Sequence, residues 1–283
     1  MSEPVRCWAC GGPTGPALYL EPLPFVECFD CGLAFRARVA SDDVREIYED
    51  PAGYEAERAQ QQMGAGFDER RRDARVRLGY LERYAGNGRG RLFDVGAAGG
   101  AFLAEARERG WDVAGVEPMP GAAEHARQEL GLDVTTGVAE DIDVPAASLD
   151  AVTMWHVLEH IPEPLSVLER IGAWMRPGAV LTIEVPNGGS PAARKLGKDW
   201  PSAEPGVHVS QFTPDALRRL LERAGFELAD VSTTTIVPFY AWSQRLSPRT
   251  VAHIAGNAVA ARTLSQRHPS AHELLRAAAV PRS

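Results

Sequence analysis

The chain has 283 residues, 45% of them hydrophobic, which suffices for one full α/β core plus a small satellite at roughly 100 to 200 residues per domain. Its formal net charge is -8, with 38 acidic against 30 basic side chains, so a small-molecule partner is favoured over a nucleic acid, which would want a basic surplus. No charged start leads into an apolar stretch and no run of 18 apolar residues occurs, so a soluble, cytoplasmic chain is expected and a membrane role is not. Only Lys195 and Lys198 are lysine, and alanine abounds; this is read as coding bias in a GC-rich bacterium.

All four cysteines lie in the first 31 residues, as Cys7-x-x-Cys10 and Cys28-x-x-Cys31 with 17 residues between the pairs. In a reducing compartment this spacing predicts a four-thiolate zinc ribbon over residues 1–40, with redox cysteines as the lesser alternative. Four thiolates leave no open position on the metal, so zinc there would fold the module and not catalyse. Arg6, Arg36 and Arg38 face Glu3, Glu21, Glu27 and Asp30 in this stretch, a balance that argues against RNA contact.

Residues 41–88 read as connecting helices, from Val44, Ile47 and Tyr48 through Tyr54 to Val76, Leu78 and Leu81. Tyr48 and Tyr54 are candidates to close over a ligand, and packing is the competing role. The cluster Arg70, Arg71, Arg72, Arg75 and Arg77, interrupted by Glu69 and Asp73, reads as a solvated helix face.

Across 89–237, β-rich runs at 92–95, 113–116, 134–137, 151–154, 180–185 and 228–231 alternate with helical stretches, which predicts a parallel sheet covered on both faces. The last helix is punctuated by Thr213 as N-cap, Pro214 at its first position, an apolar face of Leu217, Leu220 and Leu221, and Gly225 at its end. Residues 238–283 read as a helical extension, with Val251, Ile254, Ala255, Ala258 and Val259 on one stripe. Those helices and the ribbon are the candidate surfaces for a second copy or a protein partner.

The run from Leu92 to Leu103 is a buried strand, a turn of small residues and the start of a helix, the kind of turn at which open parallel sheets bind ligands. A dinucleotide fingerprint wants three glycines in G-x-G-x-x-G, and this frame supplies Gly96, Ala98 and Ala101. A carboxylate at Asp94 repels a diphosphate and suits a ligand with an ammonium and a sulfonium. The next strand ends at Gly115-Val116-Glu117-Pro118, where an acid can accept both hydroxyls of a ribose.

In these residues the chain resembles the class I S-adenosylmethionine-dependent methyltransferases, whose first motif reads roughly D-x-G-x-G-x-G; Ala98 stands at the middle glycine. The resemblance covers about residues 45–235. It implies a Rossmann-like, doubly wound α/β fold with a mostly parallel seven-stranded sheet whose last strand is antiparallel, yet no seventh strand is evident after Thr233. It further implies Asp94, Gly96 and Gly100 around the methionine part of the cofactor, Glu117 with Pro118 at the ribose, and backbone near Ala139, Glu140 and Asp141 at the adenine. The block Trp155-His156-Val157-Leu158-Glu159-His160-Ile161-Pro162 resembles the family's fourth motif, which faces the methyl group, and Trp155 is counted with the cofactor site.

Methyl transfer is a direct displacement that needs a base only where a hydroxyl must lose its proton, and His156, His160 and His208 are the candidates. On a helix, His156 and His160 would share one face beside Glu159, and the resemblance to quinone O-methyltransferases, which hold a metal with an E-x-x-E-H stretch, makes a divalent cation an alternative use of this block. The loop 187–205 carries Trp200, either an acceptor-pocket wall or a residue that pins the loop. Similar N-terminal zinc modules occur on sugar and natural-product methyltransferases, so a small-molecule hydroxyl is the expected acceptor. A zinc-finger RNA methyltransferase and a non-catalytic adaptor are the competing classes.

Overall fold

The computed structural model describes residues 5–37, 66–86, 89–204, 206–234 and 273–282. Strands β4 (Arg91–Val95), β5 (Asp112–Glu117), β6 (Asp133–Thr136), β7 (Leu149–Trp155), β8 (Met175–Pro186), β10 (Phe226–Thr234) and β11 (Leu274–Pro281) form a seven-stranded sheet in the order β10-β11-β8-β7-β4-β5-β6. The five strands from β6 to β8 pair in parallel, and β11 is antiparallel to both β8 and β10.

Alternating residues of the central strands divide between two buried clusters, as a strand period of two requires. Phe93, Val95, Val152, Met154, Leu181, Ile183 and Ala277 join one cluster with helices α4 (Pro164–Trp174) and α6 (Pro214–Arg223). Leu92, Ala151, Val180 and Ala278 join the other with α1 (Phe67–Leu81), α2 (Ala101–Glu108) and α3 (Pro120–Gln128). Helix α6 starts as its sequence predicts: Thr213 Oγ1 accepts from the Ala216 N–H at 3.1 Å, Pro214 follows, and Gly225 has φ +87°.

The end of the chain departs from expectation. Residues 274–281 are the missing seventh strand, not part of a helical tail. Leu-Leu-Arg-Ala-Ala-Ala is helical by propensity, but pairing along both edges and burial on both faces override that preference. The stripe at 251–259, and Tyr48 and Tyr54, lie outside the described residues.

Strands β1 (Thr14–Pro16), β2 (Phe25–Cys28) and β3 (Ala34–Arg36) form a second sheet, completed by β9 (Ser210–Gln211) from the segment that precedes α6. The four-cysteine module is thus no free satellite, and its Leu33 and Phe35 share a buried cluster with Phe212 and Leu217. No helix among the described residues is long and apolar enough to cross a membrane.

Ala278, 0% exposed in β11, tests the correction. Ala278→Asp buries an unpaired carboxyl group and is expected to cost about 3 kcal/mol or more in urea unfolding, whereas a cost under about 1 kcal/mol would remove this strand from the core.

Candidate active site

The site begins at the carboxyl edge of the parallel strands, where β4 hands over to α2. The turn between them is held from within: the N–H groups of Gly96 and Ala97 donate to the Val116 carbonyl at 2.8 and 3.0 Å, Ala98 N–H to Glu117 Oε2 at 2.7 Å, and Gly100 N–H to the Ala97 carbonyl at 2.9 Å. Amides committed in this way do not form a phosphate cradle. Gly96 has φ +77°, and a Cβ there would lie 2.4 Å from a Val157 methyl, so no other residue type fits. Ala98 adopts φ +48°, a left-handed position that explains why glycine suits it.

Asp94 is 1% exposed and accepts from Thr153 Oγ1 at 2.5 Å. Burial, opposed by the Thr153 hydrogen bond and the Arg77 charge, pushes its pKa up to about 8. The charge argument drawn from the sequence therefore changes: burial favours the protonated side chain near neutral pH. Glu117, 3% exposed, brackets the turn, with Oε1 accepting from the Met119 N–H at 3.0 Å and Oε2 from Ala98. Gly137, which donates to the Glu117 carbonyl at 3.0 Å, brings Ala139 and Glu140 beside this acid, and half-buried Pro118 follows it.

Trp155 packs against Phe102 at 5.3 Å between ring centroids, under the Arg77 guanidinium at 5.5 Å. Arg77 is no solvated residue: it donates to Glu184 Oε1 through Nε at 2.9 Å and Nη2 at 2.7 Å, while Arg276 Nε donates to Oε2 at 2.6 Å. Burial would raise the Glu184 pKa, but Arg77, His156 and Arg276 hold it well below the usual carboxylate range. The signal was present in the sequence, because Ala74, Arg77, Leu78 and Leu81 follow the i, i+3, i+4, i+7 rule of a buried stripe. Arg71, partly buried, and Arg75, on the solvated face as expected, both pair with Glu105, through Arg71 Nε at 2.5 Å and Arg75 Nη2 at 3.0 Å.

The histidines divide into two groups. Strand β7 stops at Trp155, His156 takes φ +59°, and Leu158–His160 is a single tight turn closed off by Pro162 and Pro164, so the shared helical face of His156 and His160 does not exist. His156 Nδ1 lies 3.3 Å from Glu159 Oε1 and Nε2 lies 3.3 Å from Glu184 Oε1. Burial favours the neutral ring, but the two carboxylates outweigh it and raise the pKa above the ordinary histidine value.

His160 and His208 meet instead, with ring centroids 4.6 Å apart. Burial, helped by the His208 neighbour, pushes the His160 pKa down to about 3 and keeps that ring neutral. His160 Nδ1 is 3.3 Å from the Val207 carbonyl, and His208 Nδ1 is 3.0 Å from the Ser202 carbonyl. A carbonyl only accepts, so these two contacts favour the tautomers that carry the proton on Nδ1. Ligand-capable atoms of Glu159, His160 and His208 lie within 4.8 Å of one another, so the metal-capable set contains His208 in place of His156. Trp200 is buried with Ala193 and Ala203 within its own loop.

Away from this site, the four cysteine sulfurs also lie within 4.8 Å of one another, with Cys7 to Cys31 at 3.7 Å and Cys10 to Cys28 at 3.5 Å. Sulfurs arranged tetrahedrally at about 2.3 Å from zinc would be about 3.8 Å apart, so both size and donor chemistry fit a closed zinc site.

A parallel sheet with a tight, internally bonded turn after its first strand and an acid after its second defines a nucleoside-binding α/β enzyme of the methyl-transferring kind. A family model described as a methyltransferase domain matches residues 67–231, more than half of the chain, and the chain belongs to that family. It is an S-adenosylmethionine-dependent methyltransferase. The chain is 30% identical over 199 residues to the ubiquinone biosynthesis O-methyltransferase of Xanthomonas axonopodis, covering 65% of this chain and 82% of that one. The protein of the same name from Cereibacter sphaeroides is 31% identical over 170 residues, covering 56% of this chain and 68% of the relative. In fold, the chain is similar to a Thermotoga maritima protein described as an S-adenosylmethionine-dependent methyltransferase, with TM-score 0.57, 20% identity and coverage of 84% and 99%. It is also similar to the magnesium protoporphyrin IX methyltransferase of Synechocystis, with TM-score 0.55, 15% identity and coverage of 87% and 100%.

Removing the shared acid from the ion cluster, by Glu184→Ala, leaves Arg77, Arg276 and His156 crowded without it and is expected to destabilise the fold by about 3 to 5 kcal/mol in denaturant titration. Asp94 yields a pH test whose sign is fixed. With a pKa of about 8 the empty site binds a proton at neutral pH, a cationic ligand prefers the ionised acid, and binding expels that proton. Calorimetry near pH 7 in buffers of different ionisation enthalpy should show proton release with S-adenosylmethionine, lost in Asp94→Asn, and affinity should rise as pH climbs towards about 8.

Proposed function

We propose that the enzyme methylates a hydroxyl of a small molecule, with sugar and natural-product intermediates as the acceptor class. The observation that carries the oxygen preference is the buried meeting of His160 and His208, with ring centroids 4.6 Å apart beside the fourth motif, where His208 is the imidazole offered to an acceptor hydroxyl. The name shared by the relatives, ubiquinone biosynthesis O-methyltransferase, supports oxygen and adds ubiquinone intermediates to the acceptors worth testing.

When bound, S-adenosylmethionine supplies a methyl group on a positively charged sulfur, and transfer to oxygen leaves a neutral thioether. Asp94, ionised by its cation, holds the ammonium end beside Gly96, Ala98 and Gly100. Arg77, stacked on Trp155, offers its positive charge to the methionine carboxylate. Glu117 with Pro118 receives the ribose hydroxyls, and Ala139 and Glu140 border the adenine. His208 would receive the proton of the acceptor hydroxyl, with His160 neutral beside it and His156 bridging Glu159 and Glu184. Cys7, Cys10, Cys28 and Cys31 would hold one structural zinc, whose closed thiolate shell would fold the N-terminal module and leave no position for chemistry.

A second reading of the Glu159, His160 and His208 group is a divalent-cation site, favoured because both imidazoles direct Nδ1 to backbone carbonyls, as metal-bound histidines do. The deciding experiment incubates the enzyme with methyl-labelled cofactor and separate pools of small hydroxylated metabolites, ubiquinone intermediates and RNA. Label in O-methyl groups of a small molecule, reduced about a hundredfold or more in His208→Ala, supports the base. Label in RNA overturns the acceptor class, and activity that magnesium restores after chelation favours the cation.

A further inference from the structure

The module bearing the four cysteines touches the segment that carries His208 at every level of structure. Strand β3 pairs with β9 through Ala34 with Gln211 and Phe35 with Ser210, and the Arg36 N–H donates to the Val209 carbonyl at 2.9 Å. On its far side Val209 donates to the Glu159 carbonyl at 2.9 Å, so one residue is clamped between the module and the fourth motif. The knuckle around Cys31 reaches further: Thr213 Oγ1 donates to the Cys31 carbonyl at 2.5 Å while accepting from Ala216 N–H. Gly32 permits this approach, since a Cβ there would lie 3.1 Å from Thr213 Cγ2 at φ +71°. Trp8, beside Cys7, makes edge contacts with Phe35 at 5.6 Å and Phe212 at 5.9 Å, and its carbonyl accepts from Arg223 Nη1 at 2.8 Å.

A strand, the Cys31 knuckle and an aromatic anchor of the module thus converge on five consecutive residues, 209–213, beside a buried histidine pair. We propose that the four-cysteine module is the positioning element of the acceptor side of the site: through β3, the Cys31 carbonyl and Trp8 it fixes residues 209–213, and thereby seats His208 against His160. Thr213 and Trp8 are positioning residues, acting through the backbone that carries His208. Opening the cysteine cluster should therefore loosen the acceptor side and leave the nucleoside side, built on β4 and β5, unaffected. The inference rests on the reading of His208 as an acceptor-facing group.

The test uses the full-length, zinc-loaded chain. Thr213→Val removes both hydroxyl contacts, Trp8→Ala removes the ring without touching a cysteine, and Thr213→Ser is the conservative control. Amide hydrogen exchange over 206–212 should accelerate about tenfold or more in the first two, with 92–100 retaining wild-type protection. In spectra of histidine-labelled protein the His160 and His208 ring signals should shift while that of His125, on α3, does not. Calorimetric affinity for S-adenosylmethionine should stay within about twofold, and Thr213→Ser should restore the wild-type exchange pattern. Unchanged protection at 206–212 in both variants would overturn the proposal, as would uniform loss across β4, β7 and β8, which would make the module a general folding element. Failure of the methyl-transfer reading is recognised separately: wild-type protein would then bind no S-adenosylmethionine, whatever the exchange pattern.

Discussion

Glu184 is the one side chain through which otherwise separate parts of the molecule are tied. It is 1% exposed near the end of β8, and it receives Arg77 from α1, Arg276 from β11 and the His156 ring from the end of β7. Each of those elements packs on the sheet, but packing alone is tolerant of small slides. Ion pairs at 2.6 to 2.9 Å are not. Removing these charges from water costs several kcal/mol per ion, so the cluster is better understood as a device for register than as a net source of stability. By alternation along the strands, Asp94, Thr153 and Glu184 share the face that α1 covers, so fixing Arg77 also fixes the cation nearest to Asp94.

The same face explains how one pocket floor can favour a sulfonium nucleoside without displaying a permanent negative charge. Asp94 is buried deeply enough to hold a proton, and the loop above it has already committed its amides to Val116, Glu117 and Ala97. Backbone hydrogen bonding therefore shapes this turn alongside carboxylate charge, a contribution that residue types alone do not reveal.

Much of this was legible in the sequence wherever the chemistry is local. The turn from Asp94 to Gly100, the acid at Glu117, the cysteine spacing and the Thr213–Pro214 helix start each depend on residues a few positions apart. What was not legible depends on distant partners. Residues 274–281 are a strand only because β8 and β10 offer two free edges, and an alanine-rich segment has no way to announce that. Arg77 lay on its helix's buried stripe, but its partner Glu184 lies 107 positions away. The two-residue strand β9 has no pattern of its own and exists because β3 pairs with it.

The histidines carry the same lesson into chemistry. His156 and His160 are four apart and of one residue type, yet the left-handed turn at His156 sends their rings to different neighbours. Two carboxylates claim one ring and favour its cation; burial beside His208 keeps the other neutral. Division of labour within the fourth motif therefore follows from where β7 ends, and β7 ends where the Trp155 ring must meet Phe102 and Arg77.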